Sequence, residues 1–262
     1  PYSGLMAPDS HPDHVGAWPA DGYYADVDGT WTDEAINDAS ARRDANRNTP
    51  GDGKFDQTTF PSEVEWMIGR VDLSRLPEYG EDEATLVARY FEKNHRFRMG
   101  EIQRSGALID DNFGFFNGEA FASTGWALSS LVGRDNIQEG DWLEDLSKGE
   151  YLWAYGCGAG TYSSAKNVGT SDAFSKTSNN AVFSGLFGSY FGDWDVESNL
   201  MRSALATEGS LQTVAWSGRP KWFFHGMAMD EPIGASVRRA QNNTEFAGYG
   251  AGWVHIALMG DP

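Results

Sequence analysis

Few side chains in this sequence are chemically reactive: one thiol, five imidazoles and two acidic loops stand out. Cys157 is the only cysteine, so neither an internal disulfide nor a zinc site built on paired thiolates is available. It lies in Gly156-Cys157-Gly158, where glycines let the backbone turn and approach a partner closely. The other reading is a small buried apolar residue. Among the histidines, His255 sits in an apolar run and reads as packing, while His95 closes an amphipathic segment whose negative end suits a positive ring. His225 follows the apolar run Leu211 to Trp216 and the loop Ser217-Gly218-Arg219-Pro220. That places it on the side of a parallel sheet where sites form, as a candidate base or a structural histidine.

A second chemistry is metal binding. Asp44, Asn46, Asn48, Asp52 and Asp56 share one run with Gly51 and Gly53, and hard oxygen donors in a flexible loop suit calcium. Asp26 and Asp28 are positioned to contribute from the preceding Tyr-Ala-Asp-Val-Asp-Gly stretch. The competing reading is Asx-turn chemistry, in which these side chains bind local backbone groups. The later acidic cluster of Asp193, Asp195, Glu197 and Asn199 precedes a helical pattern, so it reads first as helix capping.

Several chemistries lose support at once. No Gly-x-Ser-x-Gly elbow, His-Glu-x-x-His helix or phosphate-loop lysine occurs. Gly156, Gly158 and Gly160 do not have dinucleotide-loop spacing, and no nucleotide or organic cofactor is expected. The charge of −18, from 20 basic and 38 acidic residues, repels phosphate backbones and anionic membranes; a peptide or protein ligand suits the surface better than nucleic acid. No apolar run approaches the roughly 18 to 20 residues of a membrane-spanning helix. The sequence starts at Pro1 with no charged, apolar leader, which suggests a fragment of a longer chain with flanking domains.

These groups need elements to hold them. The 262 residues, 40% apolar, suffice for a substantial core. Residues 1–63 are rich in Asp, Asn, Gly and Pro and read as ordered loops; residues 64–262 read as the α/β core of a single domain. Continuous apolar runs predict buried strands at Val64 to Ile68, Ala107 to Ile109, Tyr151 to Tyr155, Ala181 to Phe187, Leu211 to Trp216 and Val254 to Leu258. Helical spacing predicts helices over Asp82 to His95, Glu119 to Val132, Asp141 to Leu146, Asn199 to Thr207 and Phe224 to Gln241. This alternation predicts a mostly parallel sheet with helices on both faces.

The order of several pieces resembles the gingipain family of cysteine peptidases. They are Tyr23-Tyr24-Ala25-Asp26-Val27-Asp28-Gly29, then Val64-Glu65-Trp66-Met67-Ile68-Gly69-Arg70-Val71, and the closing Gly260-Asp261-Pro262. The resemblance implies a three-layer caspase-like sandwich and a secreted or cell-surface location. It also implies a histidine after one strand and a nucleophilic cysteine after the next. Here Tyr151 to Gly158 puts Cys157 at the histidine position, and Ala181 to Ser189 puts Ser189 near the nucleophile position. The dyad is therefore substituted, and the resemblance implies a peptidase-fold module for binding or structure. The alternative is a diverged hydrolase with Cys157 as nucleophile, His225 as base, and Trp216 and Arg219 lining the substrate pocket.

Overall fold

The computed structural model describes residues 1–4, 14–38, 40–113, 125–209, 214–216, 222–243 and 252–262. Apolar runs bounded by glycine, asparagine and acidic residues form the strands of its main sheet. These are β1 (Ala107–Asp111), β2 (Ile137–Glu139), β3 (Tyr151–Cys157), β4 (Ala181–Phe187), β5 (Val214–Trp216) and β6 (Ala257–Met259). Across the sheet the order is β6-β5-β4-β3-β1-β2. Neighbours from β5 through β2 pair in parallel, whereas β6 runs antiparallel to β5.

Side chains alternate between the two faces of a strand, and here both faces are apolar. Leu108, Ala154 and Leu186 enter one cluster with Leu86, Tyr90, Trp142, Phe174 and Leu205. Ala107, Ile109, Trp153, Tyr155 and Cys157 enter another with Leu128, Trp222, Phe224, Ile233 and Val237. Each fully buried large apolar side chain contributes roughly 1.5–3 kcal/mol, which explains why continuous apolarity marks the strands. The chain is thus mixed α/β with a mostly parallel sheet.

The helices are bounded by local chemistry. In α1 (Glu83–Arg98), Asp82 caps the start by accepting from Thr85 N at 2.8 Å, and Leu86, Tyr90 and Lys93 line the buried face. After the one-turn α2 (Ser129–Val132) comes α3 (Trp142–Lys148), which Asp141 caps through Glu144 N at 2.8 Å. Thr170 caps α4 (Ser171–Lys176), and Asn199 caps α5 (Leu200–Ala206), whose seven residues are all buried. Last comes α6 (Ile233–Gln241). No helix among the described residues is long and apolar enough to cross a membrane.

Several expectations need correction. Val64 to Ile68 is not a strand, because its backbone is satisfied elsewhere. Asn242 accepts from Val64 N and donates to Val64 O, and the amides of Glu65 and Trp66 both donate to Ala25 O. Only Arg70 reaches the sheet, by a bridge to Met259. The expected helix Phe224 to Gln241 breaks into a 3-10 segment, Phe224–Met229, and α6, with Asp230 left-handed at φ 63° and Pro232 ahead of the second piece. Of the expected helix Glu119 to Val132, residues 119–124 lie outside the described residues. The edge strand β2 escaped the pattern because Ile137-Gln138-Glu139 is barely apolar. Residues 14–63, where described, are mostly loops and 3-10 turns, as their composition predicts.

Candidate functional site

The strand order turns back between β1 and β3, since β1 connects to β2 on one side while β3 connects to β4 on the other. In parallel sheets, ligands favour the crevice at the carboxyl ends of such strands. Here that edge carries Asp110 and Asp111 at the end of β1 with Asn112 beyond it, Cys157 at the end of β3 with Gly158 beyond it, and Gly188 and Ser189 after β4. Asp111 pairs with Cys157, and Cys157 with Phe187. The edge stays laced beyond the strands, because Asn112 N donates to Cys157 O at 2.9 Å and Gly158 N to Phe187 O at 3.1 Å. Gly158 is required by close approach: a Cβ there would lie 2.4 Å from Lys166 O. Lys166 belongs to a small hairpin sheet, residues 160–170, folded over this edge.

Cys157 reaches the expected strand end, but its side chain is 0% exposed and packs in the apolar cluster of Trp153, Tyr155 and Phe187. Its Sγ donates to Asp111 Oδ1 at 3.2 Å, an oxygen that also accepts from Phe113 N at 2.9 Å. Burial, then the Asp111 hydrogen bond and charge, push the thiol far above its ordinary range. His225 is exposed on the 3-10 segment whose Phe224 enters the same cluster. Its ring makes no hydrogen bond to the sulfur. Ser189 is half-buried just beyond β4, its carbonyl accepting from Phe191 N at 3.0 Å. Trp216 ends β5, but its side chain, like the whole of Arg219, lies outside the described residues.

Asp110 is a further titratable group at this edge, outside the residues that the motifs single out. It is 7% exposed and accepts from Trp142 N at 3.0 Å and Asn112 Nδ2 at 2.6 Å. Burial pushes its pKa up to about 6, with the charges of Asp141 and Asp111 adding and the two hydrogen bonds opposing. The signal was present in the sequence, since two acids and an asparagine directly follow the apolar run of β1. Together Asp110, Asp111 and Asn112 form a partly buried acidic edge.

The candidate calcium ligands are separately engaged. Asp44 is exposed and pairs with Arg47 at 2.9 Å, whereas Asn46 is buried and donates to Asp193 Oδ2 at 2.9 Å. Asn48 donates to Phe55 O at 2.9 Å, and Asp52 accepts from Thr49 N at 3.1 Å and Lys54 N at 3.0 Å. Asp56 gathers Thr32 Oγ1 at 2.7 Å with the amides of Glu34, Ala35 and Ile36 at 3.0–3.3 Å. Asp26 is buried and accepts from Ser62, while Asp28 is exposed. Among the described residues, no group of three or more His, Cys, Asp or Glu is arranged to hold a metal ion.

In the later acidic cluster only Asn199 caps a helix, accepting from Met201 N at 3.1 Å and Arg202 N at 3.3 Å. Asp193 instead pairs with Arg43 at 2.6 Å, and Asp195 with Arg75 and Tyr2. The Arg43–Asp193 and Tyr2–Asp195 bonds tie the first fifty residues to the core. No protein-family model, curated protein or solved structure matches the chain.

Proposed function

We propose that this chain is a gingipain-like, three-layer caspase-like domain without ordinary cysteine-peptidase activity, acting as a binding or structural module outside the cytoplasm. The strand order and the apolar clusters on both sheet faces support the fold assignment. The location and the flanking domains rest on the sequence resemblance alone. Calcium in the loop of residues 44–56 rests on its run of oxygen side chains.

One observation carries the loss of activity: the Cys157 thiol is buried and donates to a carboxylate. A nucleophilic cysteine needs its thiolate favoured, by an imidazolium, a helix N-terminus or a cation. Asp111 does the reverse, because its negative charge opposes a second one 3.2 Å away. The test is turnover of fluorogenic peptide libraries with acidic, basic or apolar residues before the cleaved bond. No turnover by folded protein is expected. Cleavage abolished by Cys157→Ala would establish the diverged hydrolase instead, and a similar loss in His225→Ala would assign that imidazole as its base.

A further inference from the structure

We propose that the exposed patch of Tyr24, Val27, Trp66 and Met67 docks a basic segment of a partner polypeptide. Tyr24 is 61% exposed, Val27 62%, Trp66 65% and Met67 40%. Four large apolar side chains in such positions on two adjoining segments mark an interaction surface, whereas scattered single ones do not. The juxtaposition is set by three hydrogen bonds: the amides of Glu65 and Trp66 share Ala25 O at 2.9 and 3.2 Å, and Val27 N donates to Glu65 Oε2 at 2.7 Å.

The backbone beneath is fixed. Ala25, Asp26 and Val64 are buried, Asn242 clamps both backbone groups of Val64, and Arg238 Nη1 donates to Glu65 O at 3.0 Å. A surface ordered before binding pays little conformational entropy on complex formation. The patch is therefore ready to dock, and its chemistry selects the partner.

That selection comes from charge. The exposed carboxylates of Asp28 and Glu63 flank the patch, with the half-buried Glu65 between the segments. Of the nearby cations, Arg70 is neutralised by Asp21 at 2.6 Å, and the half-buried Arg238 is turned inward onto the Glu65 carbonyl, so carboxylates outnumber the one remaining positive charge. Lysine or arginine heads can lie over the Trp66 and Tyr24 rings and pair with the flanking carboxylates. Their aliphatic stems suit Val27 and Met67. A second copy of this chain is the poorer occupant, because each copy carries a charge of −18.

The proposal deepens the binding-module reading, and its failure is separable from that of the inactive-peptidase reading, which turnover measures. The probe is a fluorescein-labelled decapeptide of Arg, Lys, Leu and Gly, compared by anisotropy with a counterpart carrying Glu at every basic position. We expect binding of the basic peptide alone, weakened at least tenfold by Trp66→Ala and at least tenfold by Asp28→Lys with Glu63→Lys. Phe91→Ala, at an aromatic 55% exposed on α1, should change affinity by less than twofold. Melting curves establish that each variant is folded. The proposal is overturned if neither peptide binds, if both bind equally, if folded Trp66→Ala binds like the parent, or if sedimentation shows a dimer that Trp66→Ala dissociates.

Discussion

Cys157 Sγ and Asp111 Oδ1 stand 3.2 Å apart on directly paired residues of neighbouring parallel strands. The carboxylate accepts the thiol hydrogen and opposes its ionisation, and the surrounding aromatic cluster keeps reagents out. A small thiol reagent at neutral pH should therefore label native protein at the rate of global unfolding. Labelling at the rate of a free thiol would show an accessible sulfur and reopen the catalytic reading. Asp111→Asn should lower the thiol pKa, readable as thiolate absorbance at lower pH.

Asp110 predicts a pH dependence of stability. Its pKa is raised from an ordinary 3.8 to about 6, so its contribution is full below about pH 4 and is lost as pH rises through 6. That loss amounts to no more than about 3 kcal/mol. Asp110→Asn keeps the shape and should flatten this part of the profile. Denaturant midpoints at pH 4, 5, 6 and 7 check it, and an unchanged pH slope in the variant would refute the assignment.

Lys93 acts in the opposite pH range. It is 5% exposed and donates to Thr207 O at 2.6 Å and Leu205 O at 3.4 Å, at the end of α5. Burial, then the charge of Arg89, lowers its pKa from 10.5 to about 7, while Glu208 opposes. The folded state therefore favours the neutral amine, giving stability that is present above the ordinary pKa and lost as pH falls through 7. The melting temperature of the parent should rise from pH 7 towards 10 relative to that of Lys93→Met. Parallel curves would show that Lys93 does not titrate there.

Asp56 separates capping from metal binding in the acidic loop. Its carboxylate serves three backbone amides and one hydroxyl, and removing such an acceptor costs roughly 1–3 kcal/mol. Asp56→Ala should destabilise by about that amount with chelator present as well as without it. A bound calcium specific to the folded state would add a separate signature, a chelator-dependent fall in melting temperature at fixed ionic strength. If the cost of Asp56→Ala vanished in chelator, the carboxylate would be an ion ligand and not a cap.

Local pattern was most legible where burial is continuous. Ala181 to Phe187 is a strand at the expected residues, and the three- and four-residue spacing behind Asp82 places α1. Both follow from short-range physics: two buried faces require an unbroken apolar strand, and an acceptor at the N-cap satisfies amides that the helix leaves free. The same reasoning failed at Val64 to Ile68, because a short apolar run does not say which acceptors its amides will find. Ala25 and Asn242 supply them, and neither is local.

The sequence by itself determined the alternating α/β pattern, the acidic charge balance, and a lone thiol following the apolar run Tyr151 to Tyr155. Only the tertiary structure decided what surrounds that thiol. Asp111 lies 46 residues before Cys157 and meets it through strand register, while His225 sits on an exposed turn of a segment whose Phe224 is buried. A side chain's type limits its chemistry, but its pKa depends on solvation and on charges within a few ångströms. Those are set by which distant segments the fold packs together, as Lys93 against the end of α5 and the Trp66 amide on the Ala25 carbonyl also show.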